Sequence, residues 1–322
     1  MVEIADVEMA YRLILGREPE SAAAVQNLAA SFATIGDMRT AFFNSTEFNQ
    51  LTVGNQAAEV RPLTWPGIPI DVTVDPFDLK KMIEQVEQIW EGLGETELFW
   101  SVLTNDDFKN NNIEANKATF YDSGRWAMTR FEGALNRAGL DASAFRSCLE
   151  FGCGVGRLTV WLSQLFTNVI GCDISRPHLA AAKTALEDRG IENTTLLLTN
   201  SINAIAELPR FDAFFSLIVL QHNPPPVAAF ILEQILDKLK PGGVAYFQIP
   251  TYIVGYGFNV RDYLAATAGA HAAEMEMHAI PQKDLFSLFA RHGCTVMEVR
   301  EDDWAGSQNI ISNTFLLRKK RR

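Results

Sequence analysis

Hydrophobic positions divide the chain into an N-terminal part with helical spacing and a C-terminal part in which strands and helices alternate. Over the first fifty residues, apolar side chains recur at steps of three and four, which predicts short helices. Glu18-Pro19 ends the first helix, and Ser21 and Asp37 can cap a second and a third. We therefore expect a small all-helical domain over residues 1–53.

Residues 54–120 differ from the parts on either side and are expected to form a linker and helical connector. Residues 54–78 lack a period and contain four prolines, which is typical of a linker, and helical spacing returns at residue 79. Trp90, Phe99 and Trp100 lie in this helical stretch. They either line a substrate groove or dock the stretch on the larger domain.

From residue 146 onward, short apolar segments alternate with helix-like segments. The predicted strands are residues 147–151, 168–172, 194–198, 211–219, 243–249, 295–300 and 313–318, and the predicted helices are residues 156–165, 176–188, 202–208 and 226–239. This order predicts an α/β domain over residues 121–322, with a doubly wound, seven-stranded, mostly parallel sheet. A short polar stretch joins the last two strands, so we expect them to form an antiparallel hairpin at the sheet edge.

A glycine-rich turn follows the first predicted strand. Glu150, Gly152, Gly154 and Gly156 form the pattern ExGxGxG between a strand and a helix. Alternate glycines let the backbone pass close to a ligand and adopt positive φ, and ligands of open α/β sheets bind where the strands end. Arg157 stands where a dinucleotide site needs its third glycine, so the pattern favours an adenosine-type ligand without phosphates.

The second predicted strand ends at Asp173. A carboxylate at this place can accept hydrogen bonds from both hydroxyls of a ribose. The alternative is that Asp173 only caps the next helix, for which Ser175 is the predicted N-cap and Pro177 lies in the first turn. The glycine turn just upstream favours the ribose interpretation.

These motifs resemble those of the class I S-adenosylmethionine-dependent methyltransferases, from about residue 120 to the end of the chain. Besides the glycine turn and Asp173, the similar pieces are residues 198–202, 211–223, 239–243 and 314–317. The resemblance implies a Rossmann-like fold, S-adenosylmethionine as cofactor and S-adenosylhomocysteine as product.

The resemblance also implies roles for individual residues. Gly152, Gly154 and Gly156 would lie under the methionine part of the cofactor, and Glu150 would orient its amino group. The other expected cofactor-binding residues are Asp173 on the ribose, Ile174, Asn200 and Ser201 around the adenine, Leu220 beside the methyl donor, and Tyr121 and Arg125 before the first core helix. Arg125 would clamp the methionine carboxylate or, alternatively, be an exposed helix residue.

Methyl transfer to a hydroxyl needs a group that removes a proton. His222 is the first candidate base, because the motif after strand four would place it near the methyl group and the prolines that follow would hold it. The alternative is a histidine that only shapes the pocket. Second candidates lie in the long insertion after strand five, and they are Tyr252, Tyr256, Asp262, His271, Glu274, Glu276 and His278.

A metal site is a further hypothesis for this insertion. His271, Glu274 and His278 follow i, i+3 and i+7 spacing, which would place them on one helix face. Such a face is more often solvated, so we expect no metal.

Composition and charge narrow the function. The chain has 322 residues, of which 48% are hydrophobic and 21% charged, as in globular proteins. Lys and Arg number 28 and Asp and Glu 39, and the net charge of −11 argues against a nucleic-acid partner. The basic tail at residues 318–322 would touch an anionic membrane surface or an acidic partner, or be a solvated end. Cys148, Cys153, Cys172 and Cys294 lack zinc-site spacing, so we expect reduced thiols.

The N-terminal sequence carries a resemblance of its own over residues 5–50. YRLILGREP and the ending FFNSTEF resemble a small phycobilisome-linker-like helical domain of unknown function. That domain is found fused to bacterial glycosyltransferases and surface-glycan enzymes, so the resemblance implies a glycan context.

The sequence therefore predicts an enzyme that transfers a methyl group from S-adenosylmethionine to a hydroxyl of a bacterial saccharide or glycan precursor. Acidic residues stand where a signal peptide would be basic, so we expect a cytoplasmic location. The N-terminal helices or the basic tail would contact a membrane surface or glycan enzymes. Two alternatives stay open: a methyltransferase of a small metabolite or protein amine, and a non-catalytic scaffold in glycan assembly.

Overall fold

The structure, a computed structural model, describes residues 2–45, 47–48, 67–267 and 275–321. The chain divides into two compact units, Met1–Pro66 and Gly67–Arg322. Among the described residues, no helix combines the length and the apolar character needed to cross a membrane.

The first unit is helical, as predicted. Its helices are α1 (Ile4–Ala10), which a π-helical turn at Tyr11–Leu15 extends, α2 (Ala22–Ser31) and α3 (Ile35–Phe43). The hydroxyl of Ser21 accepts a hydrogen bond from the amide of Ala24 and caps α2. The N-cap of α3 is Thr34 and not Asp37, because Asp37 occupies the third helical position and completes a capping box with Thr34.

Arg17, in the motif LGREP, holds this unit together. Its guanidinium bonds the carboxylates of Glu20, at 2.6 Å, and Glu47, and lies 4.9 Å from the centroid of the Tyr11 ring. The motif therefore joins the turn after α1 to the chain beyond α3 and stabilises the fold of this unit.

The second unit contains a seven-stranded sheet, which confirms the predicted fold class. Its strands are β1 (Ser147–Phe151), β2 (Asn168–Asp173), β3 (Thr194–Leu198), β4 (Phe211–Ser216), β5 (Leu239–Ile253), β6 (Cys294–Asp302) and β7 (Ile310–Lys319). Their order is β3-β2-β1-β4-β5-β7-β6, and β7 alone pairs antiparallel to its neighbours. The order of the strands reverses between β1 and β4, which creates a crevice at their carboxyl ends.

Helices cover both faces of the sheet. They are α4 (Pro76–Thr96), α5 (Ile113–Arg137), α6 (Thr159–Leu165), α7 (Arg176–Glu187), α8 (Ile202–Ala206), α9 (Pro225–Lys238), α10 (Val260–Thr267) and α11 (Gln282–Arg291). The carboxylate of Asp75 accepts hydrogen bonds from the amides of Phe77 and Asp78, so α4 begins at Pro76 and not at residue 79.

Side chains of α4 enter the main core, where Leu79, Met82 and Ile83 are buried with Phe214 and Phe247 of the sheet. The opposite face of the sheet packs against α5 and α6. The segment predicted as a connector is thus built into the second unit from Gly67 onward. Residues 97–112 separate α4 from α5, where the sequence predicts one helical stretch.

Two predicted boundaries next to the crevice shift for backbone reasons. β4 ends at Ser216 and not at residue 219, because Ile218 has a φ of 60° that no strand accommodates. The Gln248 side-chain oxygen accepts a hydrogen bond from the Ile218 amide at 3.0 Å and holds this conformation. α6 begins at Thr159 and not at residue 156, because Gly156 has a φ of 82°.

The first residues of the basic tail belong to the fold. β7 runs to Lys319, whose amine donates hydrogen bonds to the carbonyls of Leu236, at 2.7 Å, and His292, at 2.6 Å. These carbonyls lie at the ends of α9 and α11, where a cation is favourable.

The four cysteines are free and buried. Burial raises the pKa of the Cys148, Cys153 and Cys172 thiols well above the ordinary value.

Candidate active site

A pocket lies in the crevice at the carboxyl ends of β1, β2 and β4. It encloses about 830 Å³ of space, part of it open to solvent. Its lining includes the glycine turn, Asp173 and Ile174 from the sheet side, and Trp90 and Val102 from outside the sheet. Open α/β sheets bind their ligands at this position.

The glycine turn has the backbone that its motif predicts. Gly152, Gly154 and Gly156 have φ values of 74°, 53° and 82°. A Cβ atom on Gly152 would lie 2.4 Å from Val219 Cγ1, and one on Gly154 would lie 2.7 Å from Val102 Cγ2. Only glycine meets both the left-handed φ and the lack of space at these two positions.

Asp173 ends β2 with its carboxylate fixed in the pocket wall. Oδ2 accepts a hydrogen bond from the Gly154 amide at 2.7 Å, and Oδ1 accepts one from the Ser175 amide at 3.0 Å. Asp173 therefore fixes the turn before α7 as well as bordering the pocket. Ser175 is the N-cap residue, as predicted, but its side chain makes no capping bond. A glycine cradle beside a fixed carboxylate fits a sugar-bearing ligand such as an adenosine group.

Two buried ionisable groups flank the glycine turn. Oε2 of Glu150 accepts a hydrogen bond from the Thr159 hydroxyl at 2.6 Å, and burial raises the pKa of Glu150 to about 8. Arg157 Nη1 donates to the Ser123 hydroxyl at 3.2 Å, and burial lowers the pKa of Arg157 to about 10. Among the described residues, the buried Nε of Arg157 has no hydrogen-bond partner.

The end of α4 and residues 97–103 cover the pocket, and a chain of hydrogen bonds fastens them to the sheet side. Ser101 Oγ lies 2.8 Å from Nε2 of His178, and Nδ1 of His178 lies 2.7 Å from Ser175 Oγ. We call this chain the latch. Burial lowers the pKa of His178, so its ring is neutral at physiological pH.

Ion pairs also hold α4 against the start of α7. Arg176 at the start of α7 bonds Glu87, at 3.0 Å, and Glu91, at 2.7 Å, on α4. The Asn200 amide donates to Glu87 at 2.6 Å, so this predicted adenine contact instead holds α4 in place.

His222, the predicted base, is not part of the pocket lining. Nδ1 donates to the Glu276 carbonyl at 2.8 Å, which leaves Nε2 to accept from the Gln221 amide at 3.1 Å. Burial lowers the pKa of His222 to about 4, so the ring is neutral at physiological pH. Trp90, which does line the pocket, packs edge-on against His222 with 5.6 Å between the ring centroids.

Tyr121 and Arg125 lie within α5, which precedes β1 and the first helix after it. Tyr121 donates to the Val155 carbonyl at 3.0 Å and supports the glycine turn from outside the pocket, and burial raises its pKa to about 12. Arg125 is exposed and lies 5.0 Å from the centroid of the Trp161 ring. The position of Arg125 matches the exposed alternative and not the carboxylate clamp.

Of the remaining predicted cofactor residues, one lines the pocket and three serve the fold beside it. Ile174 lines the pocket with Asp173. Ser201 caps α8 by accepting from the Ala204 amide, and Leu220 is buried in the core. Gly156 is the glycine that lets the turn approach Ala182 of α7.

Three of the predicted residues of the insertion, Tyr256, Glu276 and His278, form a polar cluster apart from the pocket. His278 bonds the Tyr256 hydroxyl through Nδ1, at 2.8 Å, and the Glu276 carboxylate through Nε2, at 3.0 Å. Tyr252 lies in β5, and Asp262 is exposed on α10.

His271 and Glu274 lie outside the described residues. His278 follows in an irregular segment, so the assumed continuous helix face does not reach it. Within the described part of the chain, no group of three or more His, Cys, Asp or Glu side chains could hold a metal.

The pocket lining also includes residues that the predicted site lacks, among them Ser101, Val102, Arg157, His178 and Ile218. Arg157 alone had a local signal, since it directly follows Gly156. Of the three predicted aromatic residues, Trp90 lines the pocket, whereas Phe99 packs on Phe120 with 5.2 Å between the ring centroids.

Comparisons with known proteins agree with this geometry. Residues 148–243 match the family described as methyltransferase domain. A ubiquinone biosynthesis O-methyltransferase of Psychrobacter arcticus is 25% identical over 201 residues, which are 62% of this chain and 70% of that protein. One of Nitrosococcus oceani is 31% identical over 144 residues, or 45% of this chain and 56% of that protein.

Among solved structures, magnesium protoporphyrin IX methyltransferase of Synechocystis PCC 6803 with bound S-adenosylhomocysteine is 17% identical. Its TM-score is 0.49, and the match covers 73% of this chain and 100% of that one. The chain spans from about half to 70% of the length of the first curated relatives that it matches.

The family match lies on the segment that carries the glycine turn and Asp173, and the strand order is that of the expected Rossmann-like fold. Residues 148–243 therefore match a methyltransferase domain, as the resemblance to the class I S-adenosylmethionine-dependent methyltransferases implies.

Proposed function

We propose that this protein transfers the methyl group of S-adenosylmethionine to a hydroxyl oxygen of a small-molecule acceptor. The observation that carries the proposal is the glycine turn and the Asp173 carboxylate in one pocket at the strand-order reversal. The cofactor supplies an activated methyl group on a sulfonium. Relatives named as O-methyltransferases support oxygen as the accepting atom.

The residues of the pocket have different proposed roles in binding the cofactor. Asp173 accepts hydrogen bonds from the ribose, and its backbone contacts fix it before the ligand arrives. The glycine turn gives the methionine part room, and Trp90 and Val102 limit the access of water. His222 remains our proposed base. It lies outside the pocket lining, so to act it must lose the hydrogen bond from Gln221 to its Nε2 and reach the pocket past Trp90.

For the acceptor, we propose a saccharide hydroxyl, which the resemblance of the N-terminal helices to glycan-associated domains supports. Contact of those helices with glycan enzymes or a membrane surface belongs to the same proposal. An aromatic hydroxyl is the second candidate. The relatives named for ubiquinone biosynthesis favour it, as do the apolar pocket residues Ile83, Val86 and Ile231.

The test is a calorimetric titration of S-adenosylhomocysteine into the wild type and into Asp173→Asn and Asp173→Ala. Loss of charge-assisted hydrogen bonds to the ribose is expected to weaken binding about 10- to 100-fold. Asp237→Asn is the matched control, because Asp237 pairs with His292 on the surface. No binding by a folded wild type would overturn the proposal, and equal affinities of wild type and Asp173 variants would remove its main support.

A further inference from the structure

The chain leaves β4 through a strained residue that lines the pocket. Ile218 has a φ of 60°, and in the part of the chain that the structure describes it is the only residue other than glycine with a positive φ. A β-branched side chain strongly disfavours this left-handed region. Strain of this kind persists only where the surrounding structure imposes it, and it is concentrated at functional sites.

Gln248 imposes this conformation from the neighbouring strand β5. Its side chain is fully buried, and its oxygen accepts a hydrogen bond from the Ile218 amide at 3.0 Å. Its nitrogen donates to Gln221 Oε1, at 2.9 Å, and to Ser312 Oγ, at 2.7 Å. Both donors and the oxygen of the glutamine are therefore used, and the group is held in one orientation, since a backbone amide can only donate.

The conformation of Ile218 decides where one wall of the pocket lies. Leu217, Ile218 and Val219 all line the pocket. Val219 is so close to the glycine turn that a Cβ atom on Gly152 would lie 2.4 Å from its Cγ1. A rotation about φ of Ile218 would redirect the chain at Val219 and change this contact, because the backbone turns only at its φ and ψ angles.

We propose that Gln248 is a positioning residue for the cofactor pocket: it holds Ile218 in the left-handed conformation and so keeps Val219 against the glycine turn before a ligand arrives. The inference rests on the proposed function, because the pocket that Gln248 shapes must be the one that binds S-adenosylmethionine. Gln248 does not itself line the pocket, so it acts through Ile218. A wall that is already in place raises affinity, because the ligand does not have to order it.

The test is a double-mutant cycle on the full chain, with S-adenosylhomocysteine as the probe in calorimetry. Gln248→Met removes the acceptor of the Ile218 amide, so the strained conformation is expected to relax and the affinity to fall about 5- to 30-fold. In the Ile218→Gly background the same change should lower the affinity much less, because glycine adopts positive φ without strain. A merely structural role of Gln248 would lower the affinity equally in both backgrounds.

Thr251→Val is the matched control. Thr251 also lies in β5, and its hydroxyl donates a buried hydrogen bond to the side-chain oxygen of Asn313 in β7 at 2.7 Å. Loss of this bond should lower the stability measured by urea unfolding and leave the affinity for S-adenosylhomocysteine as it is in the wild type.

Amide hydrogen exchange followed by NMR gives a second readout, which needs no ligand. In Gln248→Met the Ile218 amide loses its acceptor, so its exchange should accelerate by a larger factor than that of Phe215 within β4. Equal acceleration at both amides would indicate general destabilisation and would contradict the proposed contact.

The outcomes separate this inference from the proposed function. A folded wild type that does not bind S-adenosylhomocysteine overturns the proposed function, whatever the exchange of the Ile218 amide shows. A Gln248→Met protein that binds like the wild type, or equal losses in both backgrounds, overturns the positioning role and leaves the proposed function standing. If Gln248→Met unfolds, Gln248→Asn replaces it in the cycle, since the shorter side chain stays polar but withdraws its oxygen from the Ile218 amide.

Discussion

Glu150 shows, at the scale of one residue, what burial does to the acid of a glycine motif. Its carboxyl lies in the pocket wall and accepts a hydrogen bond from Thr159, and burial raises its pKa from 4.5 to about 8. The folded protein therefore holds a proton here that the unfolded chain releases from about pH 4.5 upward. Stability is lost as the pH rises through this window, which is the opposite of the usual behaviour of a surface carboxylate.

Glu150→Gln is expected to remove this loss. The difference in the free energy of unfolding, variant minus wild type, should rise between pH 4.5 and pH 8 by up to about 5 kcal/mol and level off above. Urea denaturation at a series of pH values measures it, with Glu95→Gln on the exposed side of α4 as the control for a lost charge. A difference that does not change with pH would contradict the buried acid.

The same scale shows which site residues the sequence can reveal. The glycine turn and Asp173 are readable, because a strand, a turn and the next strand end are local patterns. His178 and Ser101 are 77 residues apart in sequence, so their contact depends on packing that no local pattern encodes. The sequence singles out Arg125, whereas the structure leaves Arg125 exposed and places Arg157 in the pocket lining.

At the scale of elements, α4 is a helix with two functions. Its inner face belongs to the core of the sheet, and its end reaches over the pocket to the latch. Close packing there depends on Gly94, because a Cβ at that position would lie 2.8 Å from both His178 Nδ1 and Ser175 Oγ.

Two glycines of α4 offer a matched comparison. Gly92→Ala meets no atom within 4 Å, so the gain in helix propensity should stabilise the protein by up to about 1 kcal/mol. Gly94→Ala should destabilise it by about 1–3 kcal/mol, because the methyl group forces the latch apart. Denaturant unfolding measures the stability of both variants. A Gly94→Ala protein as stable as Gly92→Ala would show that the latch accommodates the added methyl group with no loss of stability.

Strands were easier to predict than helix boundaries in this chain. The seven strands follow from short apolar runs, and the doubly wound sheet follows from their alternation with helices. The sequence does not predict the break at residues 97–112. It does not predict the early end of β4 either, because Ile218 adopts a conformation that its β-branched side chain disfavours.

At the scale of the whole molecule, the chain consists of two units that meet in sequence at Pro66 and Gly67. The first has a small core of its own around Val7, Tyr11 and Phe42. The second includes α4 and the segment before α5, which the sequence predicts as a separate connector ending at residue 120. That boundary falls inside α5 (Ile113–Arg137).

Two truncations test where the folding unit begins. Residues 67–322 should fold and bind S-adenosylhomocysteine like the full chain, because the pocket and its core lie within them. Residues 121–322 should fold poorly and lose binding, since they lack Met82, Ile83 and Trp90. Calorimetry measures binding by both fragments, and thermal unfolding measures their stability. Normal binding by the shorter fragment would contradict the assignment of α4 to the pocket lining.

The position of α4 also bears on how such an enzyme diverges. The sheet side of the pocket, where we propose that the methyl donor binds, comes from residues 148–243, whereas Trp90 and Val102 come from chain outside that match. Drift in α4 and in the turn after it can therefore reshape the space left for an acceptor while the methyl donor stays the same. Two descendants of one ancestor would then share a cofactor and the name of a reaction, and differ in the molecule that carries the methyl group away.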